Sequence, residues 1–384
     1  MASNNEDQTP VCADIVVIDY DDLVRTGDSI GASAEVLQTI ERAYGMDGVG
    51  VLAIRNVPGF VEAKKQLLPL AYQLQSLPKE ELQKLEDPHS LFNAGWSHGK
   101  EKLKADKPDW NKASFYFNPL TDLPGTEEDR KKFPISYPAN KWPDPTHLPT
   151  FETSAKNLGS LMKDVAVLVA RVIDDYAHQK NNSYTPILYE AMAQTEKAKG
   201  RLLYYYPLDT KSTNGDSKEE EDASEDSWIG WHNDSGFLTA LAGDLYLSPD
   251  GTQLPGSPSP EAGLYAVDRK DNVVKVNLPS DCMAIQMGEC TQIVTGGAVV
   301  ATPHCVRGAP SVARTSLACF IDAPPASILS CPTISDQSNG SSSDKIRQVA
   351  GKTSSRVPPL DKRWTDGMTF GDFLQNTFEM YYSS

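Results

Sequence analysis

With 36 Lys and Arg against 52 Asp and Glu in 384 residues, the chain carries a formal charge of -16, which argues against a sequence-independent grip on nucleic acid or on an anionic membrane. The length allows one large domain or two smaller ones around a buried core. No run of about 18 apolar residues occurs, the N-terminus lacks a basic flank ahead of an apolar stretch, and six cysteines (12, 282, 290, 305, 319 and 331) show no paired zinc-ribbon spacing, so the expectation is a soluble cytoplasmic protein with reduced thiols.

Residues 1–10 read as a disordered tail. Ile15 to Ile18 then predicts a strand, Val36, Leu37, Ile40 and Tyr44 recur at helical spacing up to Gly45, and Val49 to Ile54 predicts a second strand. Val61 to Leu85 is helical in composition but carries Pro69 and Pro78, which predicts two or three helical pieces. From about 86 to 150 the chain is rich in Pro, Asp and Asn, with Trp96, Trp110, Phe115, Tyr116, Phe117 and Trp142 scattered through it. Such loops either line a pocket or cover the core.

Leu158, Leu161, Met162, Val165, Leu168, Val169, Val172, Ile173 and Tyr176 follow the helical period over more than five turns, and this helix should lie along the back of a sheet. From Arg201 the texture changes to short apolar runs: Leu202 to Tyr206, Phe237 to Leu241, Leu264 to Val267, Val273 to Val276, Met283 to Met287, Val299 to Val306 and Ser316 to Ile321. That pattern predicts an antiparallel β sandwich or barrel. Residues 208–228 form an acidic polar insertion expected to be solvated loop, 326–358 read as a mobile linker, and Phe370 to Tyr382 as a C-terminal helix. The domain reading is therefore an N-terminal subdomain over 11–150, a helix-plus-sandwich unit over 151–325, and a closing segment over 359–384.

Three residues carry the chemistry. His232 and Asp234 are two apart, so on an extended segment both face one ion. Such a pair arises by chance about once among six histidines in so acidic a chain, and by itself weighs little. His304 follows seventy residues later in an apolar run that can form a neighbouring strand, and two imidazoles with one carboxylate are the facial ligand set of non-haem iron(II) oxygenases. Arg314 and Ser316, which also share a face, suit a carboxylate: the guanidinium offers two parallel hydrogen bonds and the hydroxyl a third.

In this order and spacing the residues resemble the 2-oxoglutarate- and iron(II)-dependent oxygenase superfamily, in particular its soluble plant-type branch similar to isopenicillin N synthase. The resemblance rests on Leu77-Pro78-Lys79-Glu80-Glu81, His232-x-Asp234-Ser235-Gly236-x-x-Thr239, Gly263-Leu264-Tyr265-Ala266, Thr302-Pro303-His304-x-Val306 and Arg314-x-Ser316. It implies an α+β fold with a double-stranded β-helix (jelly-roll) core, helices on the back of the sheet and an N-terminal α+β subdomain. It also implies iron(II) on His232, Asp234 and His304, and the far carboxylate of 2-oxoglutarate on Arg314 and Ser316, with Tyr206 as a further anchor. The family's Asn-Tyr-Tyr-Pro stands here as Tyr204-Tyr205-Tyr206-Pro207.

The implied reaction consumes O2, decarboxylates 2-oxoglutarate to succinate and CO2, and hydroxylates, desaturates or demethylates a small-molecule substrate, with ascorbate as a reductant and with neither nucleic acid nor membrane as partner. Two other readings stand beside it: an iron oxygenase that does not use 2-oxoglutarate, and a catalytically silent jelly-roll binding protein.

Overall fold

The computed structural model describes residues 12–13, 15–28, 31–100, 108–208, 228–332 and 356–382. The tail, the acidic insertion from 209 to 227 and the linker from 333 to 355 lie outside the described residues. Fifteen strands are described. The first third supplies β1 (Cys12–Ala13), β2 (Val16–Asp19), β3 (Val51–Arg55), β4 (Gly95–His98) and β5 (Lys112–Phe117). After a long helix come β6 (Ala198–Tyr205), β7 (Ile229–His232), β8 (Leu238–Leu247), β9 (Gly263–Val267), β10 (Val273–Val276), β11 (Met283–Met287), β12 (His304–Arg307) and β13 (Ala313–Ile321). A small ribbon of β14 (Ile328–Leu329) and β15 (Met368–Thr369) closes the chain.

Two large sheets result, one ordered β2-β3-β11-β8-β13-β6-β5-β4 and the other β1-β10-β9-β12-β7. Pairing is antiparallel except for β1 with β10 and β2 with β3. Strands from residues 12–117 thus complete both sheets. The inner faces meet in two apolar clusters: Val51 and Ala284 pack with Ala266 and Val276, and Leu203, Tyr205 and Tyr246 pack with Trp228 and Val306.

The Phe151–Lys180 helix packs on the outer face of the eight-stranded sheet, against β6, β8, β11 and β13. With a helix behind and a sheet in front, β11 is buried along its whole length, which is why Met-Ala-Ile-Gln-Met shows no alternation. Among the smaller helices, Ala34–Tyr44 starts on Ser33, whose side chain accepts from the Val36 N–H at 3.3 Å. The 61–85 region forms three helices, Phe60–Leu67, Leu70–Gln75 and Lys79–Lys84, with Pro69 and Pro78 standing just before the second and third. No helix among the described residues is long and apolar enough to cross a membrane.

Two expected loop or strand regions differ. The aromatic 86–150 region contains β4 and β5, and Phe115, Phe117 and Trp142 pack with one another and with Phe151, so these rings cover the core. The run Val299 to Val306 is a strand only from His304, because Val300 and Ala301 give their N–H groups to the Tyr44 carbonyl and the Gln292 side chain instead of to a ladder. Just before it lies a helix, Glu289–Val294, that periodicity did not single out.

Candidate active site

Between the sheets is a cavity of about 520 Å³, in the range of small-molecule sites. His232, Asp234 and His304 line it from the five-stranded side, and Arg314, Ser316, Tyr205 and Arg201 from the eight-stranded side.

His232 closes β7 and is the direct Cα partner of His304 at the start of β12. A bulge in β7 between His232 and Ile229 offsets the ladder there, and the His232 Nδ1–H donates back to the Gly230 carbonyl at 2.8 Å. His304 Nδ1 donates likewise to the Thr302 carbonyl at 3.1 Å. A carbonyl accepts only from a protonated nitrogen, so in the neutral ring both bonds put the proton on Nδ1 and the lone pair on Nε2, free for a ligand. The two ring centres are 4.2 Å apart. Loss of water around His232, and then the neighbouring His304, push the pKa of His232 down to about 4, so the ring is neutral near pH 7.

Asp234 lies in the loop beyond β7, and its Oδ1 stands 3.8 Å from His304 Nε2. One ligand atom from each of the three residues falls within 4.8 Å of the others. Asp234 is 7% exposed, yet its Oδ2 has no hydrogen-bond partner among the described residues. A buried carboxylate oxygen without a donor is costly unless a cation completes it, so this donor set fits a divalent metal.

The loop 233–237 is fixed from below by the Glu289–Val294 helix. Glu289 N–H donates to the Asp234 carbonyl, Cys290 N–H to that of Gly236, and Gly288 N–H to that of Phe237, at 2.8, 3.0 and 2.9 Å. These are the unsatisfied first donors of a helix put to use. The approach is close: a Cβ on Gly288 would come within 2.1 Å of the Gly236 oxygen.

Across the cavity, Arg314 and Ser316 face inward from β13. Opposite them β8 carries a bulge at Gly243, whose φ is +75°. The extra residue shifts the parity of β8, so Thr239 and Leu241 before it and Asp244 and Tyr246 after it all turn into the cavity. Asp244 Oδ1 thereby meets Arg314 Nη2 at 2.5 Å, and the Tyr246 hydroxyl donates to Asp244 Oδ2 at 3.1 Å. Burial works against the Arg314 charge, but Asp244 and the phenols of Tyr205 and Tyr246 hold its pKa above the ordinary arginine value. Its Nε and Nη1 remain buried donors without a partner among the described residues. Ser316 Oγ donates to the Gly243 carbonyl at 3.0 Å.

The third expected anchor, Tyr206, does not line this cavity. It follows β6, where its ring stacks on His98 with centres 4.9 Å apart. Tyr205 stands beside Arg314 instead, and it was missed because three consecutive tyrosines leave the register open while one step along a strand reverses the face. Arg201, four residues earlier on the same inner face, was also missed. It lies against the Tyr116 ring and its Nε donates to Ser114 Oγ at 3.0 Å.

No family model matches the chain. A curated 2-oxoglutarate-dependent dioxygenase from Gibberella zeae is 24% identical over 256 residues, 67% of this chain, and the chain spans only 60% of that relative's length. Among solved structures, a full-length Neurospora crassa protein in complex with alpha-KG superposes with a TM-score of 0.61 at 17% identity, covering 96% of this chain and 98% of that one. A 2OG-Fe(II) oxygenase family protein from Caulobacter crescentus gives 0.57 at 16% identity, covering 95% and 98%. The dioxygenase for auxin oxidation from rice gives 0.56 at 17% identity, covering 97% and 96%. The structural likenesses give the fold, and the curated relative adds a sequence similarity to a 2-oxoglutarate-dependent dioxygenase.

Proposed function

We propose that the chain is an iron(II)- and 2-oxoglutarate-dependent dioxygenase that oxidises a small organic molecule, built on a double-stranded β-helix core. The observation that carries this reading is the facing of two incomplete sets across one cavity: a two-histidine, one-carboxylate cluster with a buried oxygen, and a buried guanidinium with two donors, that find no partner among the described residues.

His232, Asp234 and His304 would hold iron(II), and Arg314 would hold the far carboxylate of 2-oxoglutarate. Bound there, the metal and the keto acid supply the activation of O2 and the decarboxylation to succinate and CO2. The protein supplies placement. The Gly230 and Thr302 carbonyls fix the imidazole tautomers, and the helix beginning at Glu289 fixes the position of Asp234. Arg314 takes the carboxylate on the donors that Asp244 leaves, and Ser316 turns its hydroxyl from Gly243 toward it. Tyr205 fills, beside that guanidinium, the place the resemblance implied for Tyr206. Arg201, a cation in the wall of the same cavity, would orient an acceptor group on the substrate.

The test is product analysis. Incubation with iron(II), 2-oxoglutarate and O2 is expected to release succinate from the wild-type chain and none from Asp234→Ala. Equal release from both would contradict the assignment.

A further inference from the structure

His232 stands between two residues that the C-terminal segment holds. On one side, the guanidinium of Arg356 lies over the indole of Trp231, 5.0 Å from its centre. On the other, Asn233 Nδ2 donates to Glu289 Oε1 at 2.8 Å. The same carboxylate accepts two bonds from Arg363, at 2.6 and 2.7 Å. Glu289 therefore grips two consecutive residues of the metal loop, Asn233 through its carboxylate and Asp234 through its N–H.

Arg363 is in turn set by the closing segment. Its Nη1 reaches Thr377 Oγ1 at 3.1 Å, its Nη2 reaches the Pro358 carbonyl at 2.9 Å, and Asn376 Nδ2 donates to the Arg363 carbonyl at 3.0 Å. Thr377 and Asn376 belong to the Phe370–Tyr382 helix, whose Phe370 packs against Phe237 with ring centres 5.6 Å apart. The Arg363 and Glu289 side chains are 0% and 3% exposed. A buried ion pair gives little net stability over well-packed apolar residues of the same volume, but breaking one is costly, so its effect is to fix one geometry. Here that geometry ends on the residue between His232 and Asp234.

We propose that the C-terminal segment positions the metal strand, with Arg356 acting through Trp231 and Arg363 acting through Glu289 and Asn233, so that metal affinity is set in part by residues that touch no ligand. The proposal rests on the reading of His232, Asp234 and His304 as metal ligands. Outer partners of metal ligands commonly change affinity by roughly 10- to 100-fold when removed.

Cobalt(II) is the probe, titrated anaerobically into the full-length apo protein and followed by its visible d–d absorption, with urea unfolding of each apo protein alongside. Asn233→Ala and Arg363→Lys are each expected to weaken cobalt(II) binding about tenfold and to alter the shape of the band. The double variant should bind no more weakly than the worse single one, because both changes cut one chain of contacts. Asn233→Ala should leave the urea midpoint near wild type, since Glu289 and Arg363 stay paired.

Unchanged cobalt(II) affinity and spectrum in Asn233→Ala, with Arg363→Lys affecting stability alone, would overturn the proposal and leave the segment a packing element. If Arg363→Lys does not fold, Arg356→Ala decides in its place: affinity about threefold weaker is expected from loss of one cation–π contact, and wild-type affinity overturns the claim. Wild-type cobalt(II) binding that is indifferent to Asp234→Ala would overturn the ligand assignment itself, and the positioning claim with it.

Discussion

Tyr205 and Arg314 are direct Cα partners on neighbouring strands, and the guanidinium of Arg314 lies over the Tyr205 ring, 4.7 Å from its centre. The ring face orients the cation and excludes water from one side of it. Tyr205→Leu is therefore expected to raise the 2-oxoglutarate concentration needed for half-maximal turnover by about tenfold, the equivalent of roughly 1–2 kcal/mol. Tyr206→Leu, on the opposite face, should leave that requirement unchanged. The reverse pattern in steady-state kinetics would return the role to Tyr206.

Arg314→Lys should raise the same requirement by roughly 10- to 100-fold, since a point charge replaces a planar donor set and at least one charge-assisted hydrogen bond of about 1.5–3 kcal/mol is lost. Asp244 would keep a lysine in place, so the fold should survive. A requirement that does not move would make Arg314 a structural partner of Asp244.

Asp234→Ala is expected to abolish turnover while leaving the metal-free protein as stable as wild type, or slightly more so. The carbonyl of Asp234, not its carboxylate, makes the bond to Glu289, and one carboxylate oxygen is buried without a partner among the described residues. Thermal unfolding of the apo proteins checks this. A large fall in the midpoint would show that the carboxylate supports the fold.

Gly288→Ala should push the metal loop off its helix. A Cβ there would meet the Gly236 carbonyl, which is backbone and has no alternative rotamer, so a loss of about 1–3 kcal/mol is expected together with weakened metal binding. Unchanged unfolding and metal binding would show that the loop accommodates the methyl group.

Much of the fold was legible where one local signal dominated. The apolar stripe in Phe151–Lys180, the two prolines that divide 61–85, and the Phe370–Tyr382 helix each follow from spacing or from one residue type. Elements whose apolar residues have no single period were harder to read. β4 and β5 show no alternation because both faces are covered, and all six residues of the Glu289–Val294 helix are buried, polar ones included, so it has no exposed face to set a period.

In the site, His232, Asp234, His304, Arg314 and Ser316 could be picked out only as a set, by their order and spacing, since each pair alone is common, and the structure brings all five to one cavity. Tyr205 was hidden by a one-residue ambiguity in Tyr204-Tyr205-Tyr206. The Glu289–Arg363 pair was hidden by its separation of 74 residues and by the ordinary look of each residue in the sequence.

The most direct test of the central claim is an anaerobic titration of the apo protein with iron(II) and then 2-oxoglutarate, watching for the weak visible charge-transfer band of a keto acid chelated to the metal. The band is expected to saturate at one 2-oxoglutarate per chain and to be lost in Asp234→Ala. Iron(II) binding at the triad with no band at saturating 2-oxoglutarate would contradict the account.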